Sequence, residues 1–150
     1  MNREILNFLS AYTSNTDLVN KFLVSLFVAL NNYKIKKNKL IKSLIIQKDD
    51  EEIGGYKKFY NIYRTHEQRI DFSQLIQLFE YSIPNEDRII NGIVYTPKSI
   101  KSFIIEEVFE QLESPIEDSK FCDLSCGCGG FLYTIAKKLK QSNRPYLSIF

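Results

Sequence analysis

Apolar residues recur at helical spacing through the first third of the chain: Ile5, Phe8, Leu9 and Tyr12, then Leu18, Phe22, Leu26 and Leu30, then Ile41, Leu44 and Ile45. Steps of three and four put each set on one helix face, so the stretch from Arg3 to about Gln47 is predicted to be helical. The Thr16-Asp17 pair is expected to supply the side-chain oxygen that caps the second run. Asp49-Asp50-Glu51-Glu52 followed by Gly54-Gly55 breaks the pattern and predicts an exposed loop. Helix is expected to resume near Asp71, where Asp71 and Gln74 have capping-box spacing and Phe72, Leu75, Ile76 and Phe79 form an apolar stripe. Ile83-Pro84-Asn85 stops it, and a domain boundary is expected around residues 84 to 92.

A second pattern begins at Gly92. Gly92-Ile-Val-Tyr95-Thr96-Pro97 is expected to open a helix, with Thr96 as N-cap and Pro97 as first helical residue, because the missing proline amide costs nothing there. Ile100, Phe103, Ile104 and Val108 would give that helix its buried face. Lys120-Phe-Cys-Asp123-Leu-Ser-Cys-Gly127-Cys-Gly129-Gly130-Phe131-Leu then reads as a short strand and a glycine-rich turn, followed by a helix through Ile135, Ala136 and Leu139. An acidic residue at a strand end, glycines where backbone must approach a ligand, and a helix N-terminus together describe a nucleotide-type pocket. A carboxylate is a poor neighbour for phosphates but a good acceptor for an ammonium group, which points to S-adenosylmethionine. Leu132 stands where the dinucleotide pattern has its third glycine, and no Gly-Lys-Ser or Gly-Lys-Thr follows, which excludes a P-loop.

Composition adds limits. The 150 residues are 44% apolar and 13% aromatic, too hydrophobic for a disordered chain, and the net charge of +2 does not by itself mark a nucleic-acid binder. Charge position says more: Lys34, Lys36, Lys37 and Lys39 lie within one short run and are candidate DNA phosphate contacts, although such a run is also what a solvated helix face looks like. Cys122, Cys126 and Cys128 are clustered, unlike a disulfide framework, so a reducing compartment is expected. Zinc ligation by these thiols with His66 is disfavoured, because Cys122 falls in the strand and the other two in the glycine turn. The longest apolar run, Phe22 to Leu30, is too short to span a bilayer, and no signal-peptide pattern precedes it. Cytoplasmic residence and no membrane partner are expected.

Asp123-Leu-Ser-Cys-Gly-Cys-Gly-Gly-Phe-Leu132 resembles the Asp-Pro-Xaa-Cys-Gly-Ser/Thr-Gly-Xaa-Phe-Leu cofactor motif of N6-adenine DNA methyltransferases, found in type I modification subunits and related type II enzymes. Gly92 to Pro97 is similar to the upstream Tyr-Thr-Pro motif of the same family, in the right order and spacing. The resemblance implies S-adenosylmethionine as cofactor and double-stranded DNA as substrate. It implies a specificity or restriction subunit as a possible partner in a restriction-modification system. It assigns Asp123 to the methionine ammonium, Gly127 and Gly129 to the loop under the cofactor, and Thr96 with backbone groups around Tyr95 and Pro97 to the cofactor carboxylate. Ser125 belongs to the same loop, and Phe131 would line or underlie the pocket. Leu124 and Cys128 depart from the pattern, replacing a proline and a serine or threonine.

The implied architecture is an α-helical N-terminal domain, residues 1–88, followed by the start of an α/β Rossmann-like methyltransferase domain, residues 89–150. Arg144 to Phe150 reads as a turn and the beginning of a second strand. The Asn/Asp-Pro-Pro-Tyr/Phe tetrapeptide that holds the flipped adenine in such enzymes is absent from these residues, so the chain is expected to be a fragment with no catalytic residue of its own. Two alternatives stay open: a helical DNA-binding or assembly module with a non-catalytic cofactor loop, and a methyltransferase acting on RNA or protein.

Overall fold

Short polar residues start most of the helices. The computed structural model describes residues 2–12, 14–84, 89, 95–116 and 118–141, and the chain divides into two units, Met1–Ile93 and Val94–Phe150. In the first unit, Asn2 caps α1 (Arg3–Ser10) by accepting the Glu4 amide at 2.7 Å. Asn15 caps α2 (Thr16–Leu30) by accepting from the Leu18 amide at 3.0 Å. The expected cap at Thr16-Asp17 is therefore displaced by one residue. A cap needs non-helical backbone, which Asn15 has and Thr16, already helical, does not.

The predicted helical stretch to Gln47 is interrupted. Asn32 takes a left-handed φ of 54° just beyond α2, and only α3 (Lys39–Ser43), capped by Asn38, follows before residue 47. The expected loop at Gly54-Gly55 is instead the first turn of α4 (Ile53–His66). A Cβ on Gly55 would stand 3.0 Å from Cζ of Phe22, so the glycine lets α4 approach α2 closely. Tertiary packing thus overrides poor helix propensity. The capping box of α5 (Phe72–Ser82) is present in both arms, with Asp71 Oδ1 accepting the Gln74 amide at 2.7 Å and Gln74 Oε1 accepting the Asp71 amide at 2.8 Å. The helix ends at Ser82, before Pro84.

The core of this unit is built on Phe22, fully buried and ringed by Phe8, Tyr12, Tyr56 and Phe59 at centroid distances of 6.3, 5.4, 6.2 and 5.9 Å. Ile5, Leu9, Leu26, Leu30 and Leu75 join it, as their helical spacing requires. Phe72 is half exposed yet meets Phe27 edge to face at 5.8 Å. Two side chains tie loops to α2. The Asn31 amide donates to the carbonyls of Phe27 and Ile70, both at 2.9 Å, and the buried Ser25 hydroxyl accepts the Ile46 amide at 2.9 Å.

The second unit holds α6 (Lys98–Glu110) and α7 (Gly130–Gln141), joined through Ile105, Phe121, Ile135 and Leu139 with Phe109, Leu112, Ile116 and Phe131 alongside. Lys138 of α7 pairs with Glu106 of α6 at 2.8 Å. Three expectations change here. Ile100, Phe103, Ile104 and Val108 are 49, 61, 40 and 45% exposed instead of buried. The helix carries two apolar stripes, and α7 covers the one containing Ile105 and Phe109. Thr96 is not the N-cap: Pro97, with ψ 148°, holds that position without a side-chain bond, and Lys98 is the first helical residue. Proline fixes φ but leaves ψ free, and with ψ at 148° Pro97 is itself extended, so the helix begins one residue later than expected. The strand expected near Asp123 is reduced to Phe121, the one residue with β-bridge geometry, and no strand forms among the described residues. The strand expected to pair beside it, at 144–150, lies outside the described residues.

The described architecture is therefore helical. Gly92 and the expected second strand at 144–150 lie outside the described residues, as does most of the expected boundary segment. No helix among the described residues is long and apolar enough to cross a membrane.

Candidate functional site

Beyond the buried Phe121 ring the chain turns through Asp123 to Gly129 and enters α7. Asp123 Oδ1 accepts the Ser125 amide at 3.0 Å, an Asx-type turn that fixes the carboxylate at the head of the loop. Gly127 and Gly129 have φ of 51° and 80°, left-handed values that L side chains rarely adopt. The Gly129 amide closes the turn on the Cys126 carbonyl at 2.7 Å, and Tyr133 donates to the Gly129 carbonyl at 2.8 Å to begin the helix. No ion pair engages Asp123 among the described residues.

The first turns of α6 and α7 meet. Nζ of Lys101 lies 2.7 Å from where a Cβ on Gly130 would stand. This contact carries the helix that follows Tyr95-Thr96-Pro97 onto the helix that follows the glycine loop, although the two motifs are well separated in sequence. Tyr95 and Thr96 are half-buried and Pro97 is exposed. A cleft of about 440 Å³ opens beside the loop, with Asp123 and Ser125 on its polar side and Ile104, Val108, Phe121 and Phe131 among its apolar walls.

Of the sequence-predicted residues, the cleft gathers Asp123, Ser125 and Phe131. Gly127 and Gly129 shape the loop without lining the cleft, and Tyr95, Thr96 and Pro97 lie outside its lining. Leu124, at the position where the related motif has proline, is 96% exposed and adds no packing. Lys101 was not evident from the sequence, although its place one turn beyond Pro97 is the signal that could have found it. Ile104 and Val108, expected to be buried in a core, are cleft walls.

Chemically, the loop offers a carboxylate acceptor for a cation, backbone that a ligand can approach closely, and an adjoining apolar surface for a non-polar moiety. None of the three cysteines is in a disulfide, and Cys122 and Cys126 are exposed while Cys128 is half-buried. No group of three or more metal-ligating side chains occurs among the described residues. His66, the last residue of α4, instead meets Glu4 Oε2 through Nε2 at 2.7 Å. In the first unit Lys34, Lys36, Lys37 and Lys39 are all exposed.

Comparison with curated proteins and with solved structures gives no match. Residues 55–150, more than half of the chain, match the family described as N-6 DNA Methylase, beginning inside α4 and running through the glycine loop. The chain belongs to the N-6 DNA methylase family.

Proposed function

We propose that the chain carries the S-adenosylmethionine-binding loop of a site-specific DNA adenine-N6 methyltransferase of a restriction-modification system. The observation that carries this reading is the loop itself, in which one braced carboxylate sits beside two left-handed glycines at the mouth of a helix.

The donor set fits the cofactor. S-adenosylmethionine supplies a methyl group on a sulfonium, together with an amino-acid end bearing an ammonium and a carboxylate. Asp123, with Oδ1 held by the Ser125 amide, offers its other oxygen to the ammonium. Gly127 and Gly129 keep side chains out of the loop where the methionine portion passes. The Thr96 hydroxyl and backbone amides around Tyr95 and Pro97 donate to the carboxylate, and Phe131 lines the pocket. A negatively charged loop head also disfavours phosphate ligands.

The same reading makes Lys120 to Leu139 the first strand, turn and helix of a Rossmann-like domain beginning at residue 89, preceded by a helical domain over 1–88. Double-stranded DNA is the substrate, a specificity or restriction subunit is the partner, and the free exposed thiols suit a reducing cytoplasm. With no Asn/Asp-Pro-Pro-Tyr/Phe tetrapeptide among the 150 residues, the chain binds cofactor without transferring its methyl group.

Titration calorimetry with S-adenosylmethionine tests the site. The chain is expected to bind, and Asp123→Ala to weaken binding by about tenfold or more, as the loss of a hydrogen bond between charged groups requires. Equal affinity of the two proteins, with circular dichroism showing both folded, refutes the role of Asp123.

A further inference from the structure

The first unit concentrates positive charge in one place. No carboxylate side chain occurs between Asp17 and Asp49, while lysines stand at 21, 34, 36, 37, 39, 42 and 48. Lys21 is paired with Glu52 at 3.4 Å. Lys34, Lys36, Lys37, Lys39 and Lys42 are exposed and make no ion pair among the described residues. Five cations in nine positions repel one another, and a polyanion relieves that repulsion.

We infer that the segment Tyr33 to Lys42 is a docking surface for the phosphate backbone of double-stranded DNA, an inference that rests on the reading of DNA as substrate. The segment is fastened at both ends to α2. At its start, the Asn31 amide bridges the Phe27 and Ile70 carbonyls, the Tyr33 amide donates to the Val28 carbonyl at 3.0 Å, and the Tyr33 ring lies 5.6 Å from that of Phe27. At its end, the buried Ser25 hydroxyl takes the Ile46 amide at 2.9 Å. Between these ties Asn38 caps α3, and Ile35 and Ile41 are half-buried while the lysines stay in solvent. A charged strip with anchored ends loses little conformational freedom on binding.

Charge and composition favour nucleic acid over an acidic protein. Protein interfaces place a desolvated apolar centre inside a polar rim, with charges depleted from the centre. Here lysines make up half of the segment, and its two exposed apolar side chains, Tyr33 and Leu40, stand toward its ends. Duplex DNA presents about one negative charge per 1.7 Å of axis, a density suited to closely spaced, unpaired lysines. Such contacts position the protein on the duplex without reading its sequence.

Fluorescence anisotropy with a mixed-sequence DNA duplex across a salt series tests the surface. The variant K34Q/K36Q/K37Q/K39Q is expected to bind more weakly, with the slope of log K against log salt smaller by about 3.6, near 0.9 per lost phosphate contact. The charge-matched variant K57Q/K58Q/K137Q/K140Q, built on lysines that are also exposed, is expected to keep the wild-type slope. Unchanged binding by the first variant, or equal losses in both, overturns the proposal. Binding of polyglutamate as tight as that of duplex at the same salt also overturns it, pointing to an acidic protein partner. If the quadruple variant fails to fold, K36Q and K37Q decide singly, each expected to lower the slope by about 0.9. Cofactor titration on the same proteins separates the two readings. Cofactor binding without a lysine-dependent slope defeats this surface alone, whereas the slope without cofactor binding supports it and defeats only the cofactor site.

Discussion

Lys101 lies across Gly130, its Nζ 2.7 Å from the position a Cβ would take on the glycine. The near atom is the end of a flexible side chain, so Gly130→Ala is accommodated by swinging the ammonium aside. The expected change in stability is under about 1 kcal/mol, with the helix-propensity gain offsetting the displacement. In the Lys101→Ala background the same substitution is expected to be more favourable by a few tenths of a kcal/mol or more, since nothing remains to be moved. Urea unfolding of the four proteins measures the coupling, and strict additivity contradicts the contact.

Gly129 is constrained by its backbone instead. A Cβ there meets nothing within 4 Å, but φ is 80°. Gly129→Ala is expected to destabilise by about 1–2 kcal/mol, with Asn milder and Val worse, because only the left-handed conformation penalises the new side chain. Denaturation midpoints in the order Gly, Asn, Ala, Val check this, and cofactor affinity is expected to follow the same order.

The adjacent glycines of α4 separate packing from propensity. A Cβ on Gly54 meets nothing within 4 Å, whereas one on Gly55 stands 3.0 Å from the fully buried Phe22. Gly54→Ala is expected to stabilise by about 0.5–1 kcal/mol. Gly55→Ala gains the same propensity and loses it again by forcing Phe22 against its ring neighbours, with a net loss of about 1 kcal/mol. Thermal unfolding of the two variants decides, and equal melting temperatures defeat the packing argument.

Burial pushes the hydroxyls of Tyr56 and Tyr63 up to about 12 from 10.0, with Tyr60 adding to the first and Glu67 and Asp71 to the second. The folded protein therefore holds these protons more tightly than the unfolded chain. The contribution of these two groups to stability is complete below pH 10.0 and is lost as pH rises toward about 12, because the unfolded chain ionises first. Tyr63→Phe is expected to reduce the fall, seen as a smaller drop in denaturant midpoint between about pH 9 and pH 11.

What could be read in advance depended on how local each feature was. The capping box of Asp71 and Gln74 was legible because its partners are three residues apart. Asn15 and Thr16 are both competent caps, and only the backbone angles choose between them. The start of α4 was hidden because its reason, the approach of Gly55 to Phe22, lies on a different helix. Ile100, Phe103, Ile104 and Val108 were expected to be the buried face of α6, but α7 covers Ile105 and Phe109 instead, a choice that only packing makes. In the loop, residue types were enough to single out Asp123, Gly127 and Gly129, since only an acidic side chain supplies a carboxylate and left-handed turns favour a residue without a Cβ. The seating of Lys101 on Gly130 required the two helices to be brought together first.

Asn31 uses one amide group to hold the last turn of α2 and the connector between α4 and α5. Those two stretches cannot fray independently without leaving a donor or a carbonyl unpaired. In hydrogen-exchange terms, the end of α2 and the entry to α5 share one opening event, which makes the first unit cooperative at the point where its chain changes direction.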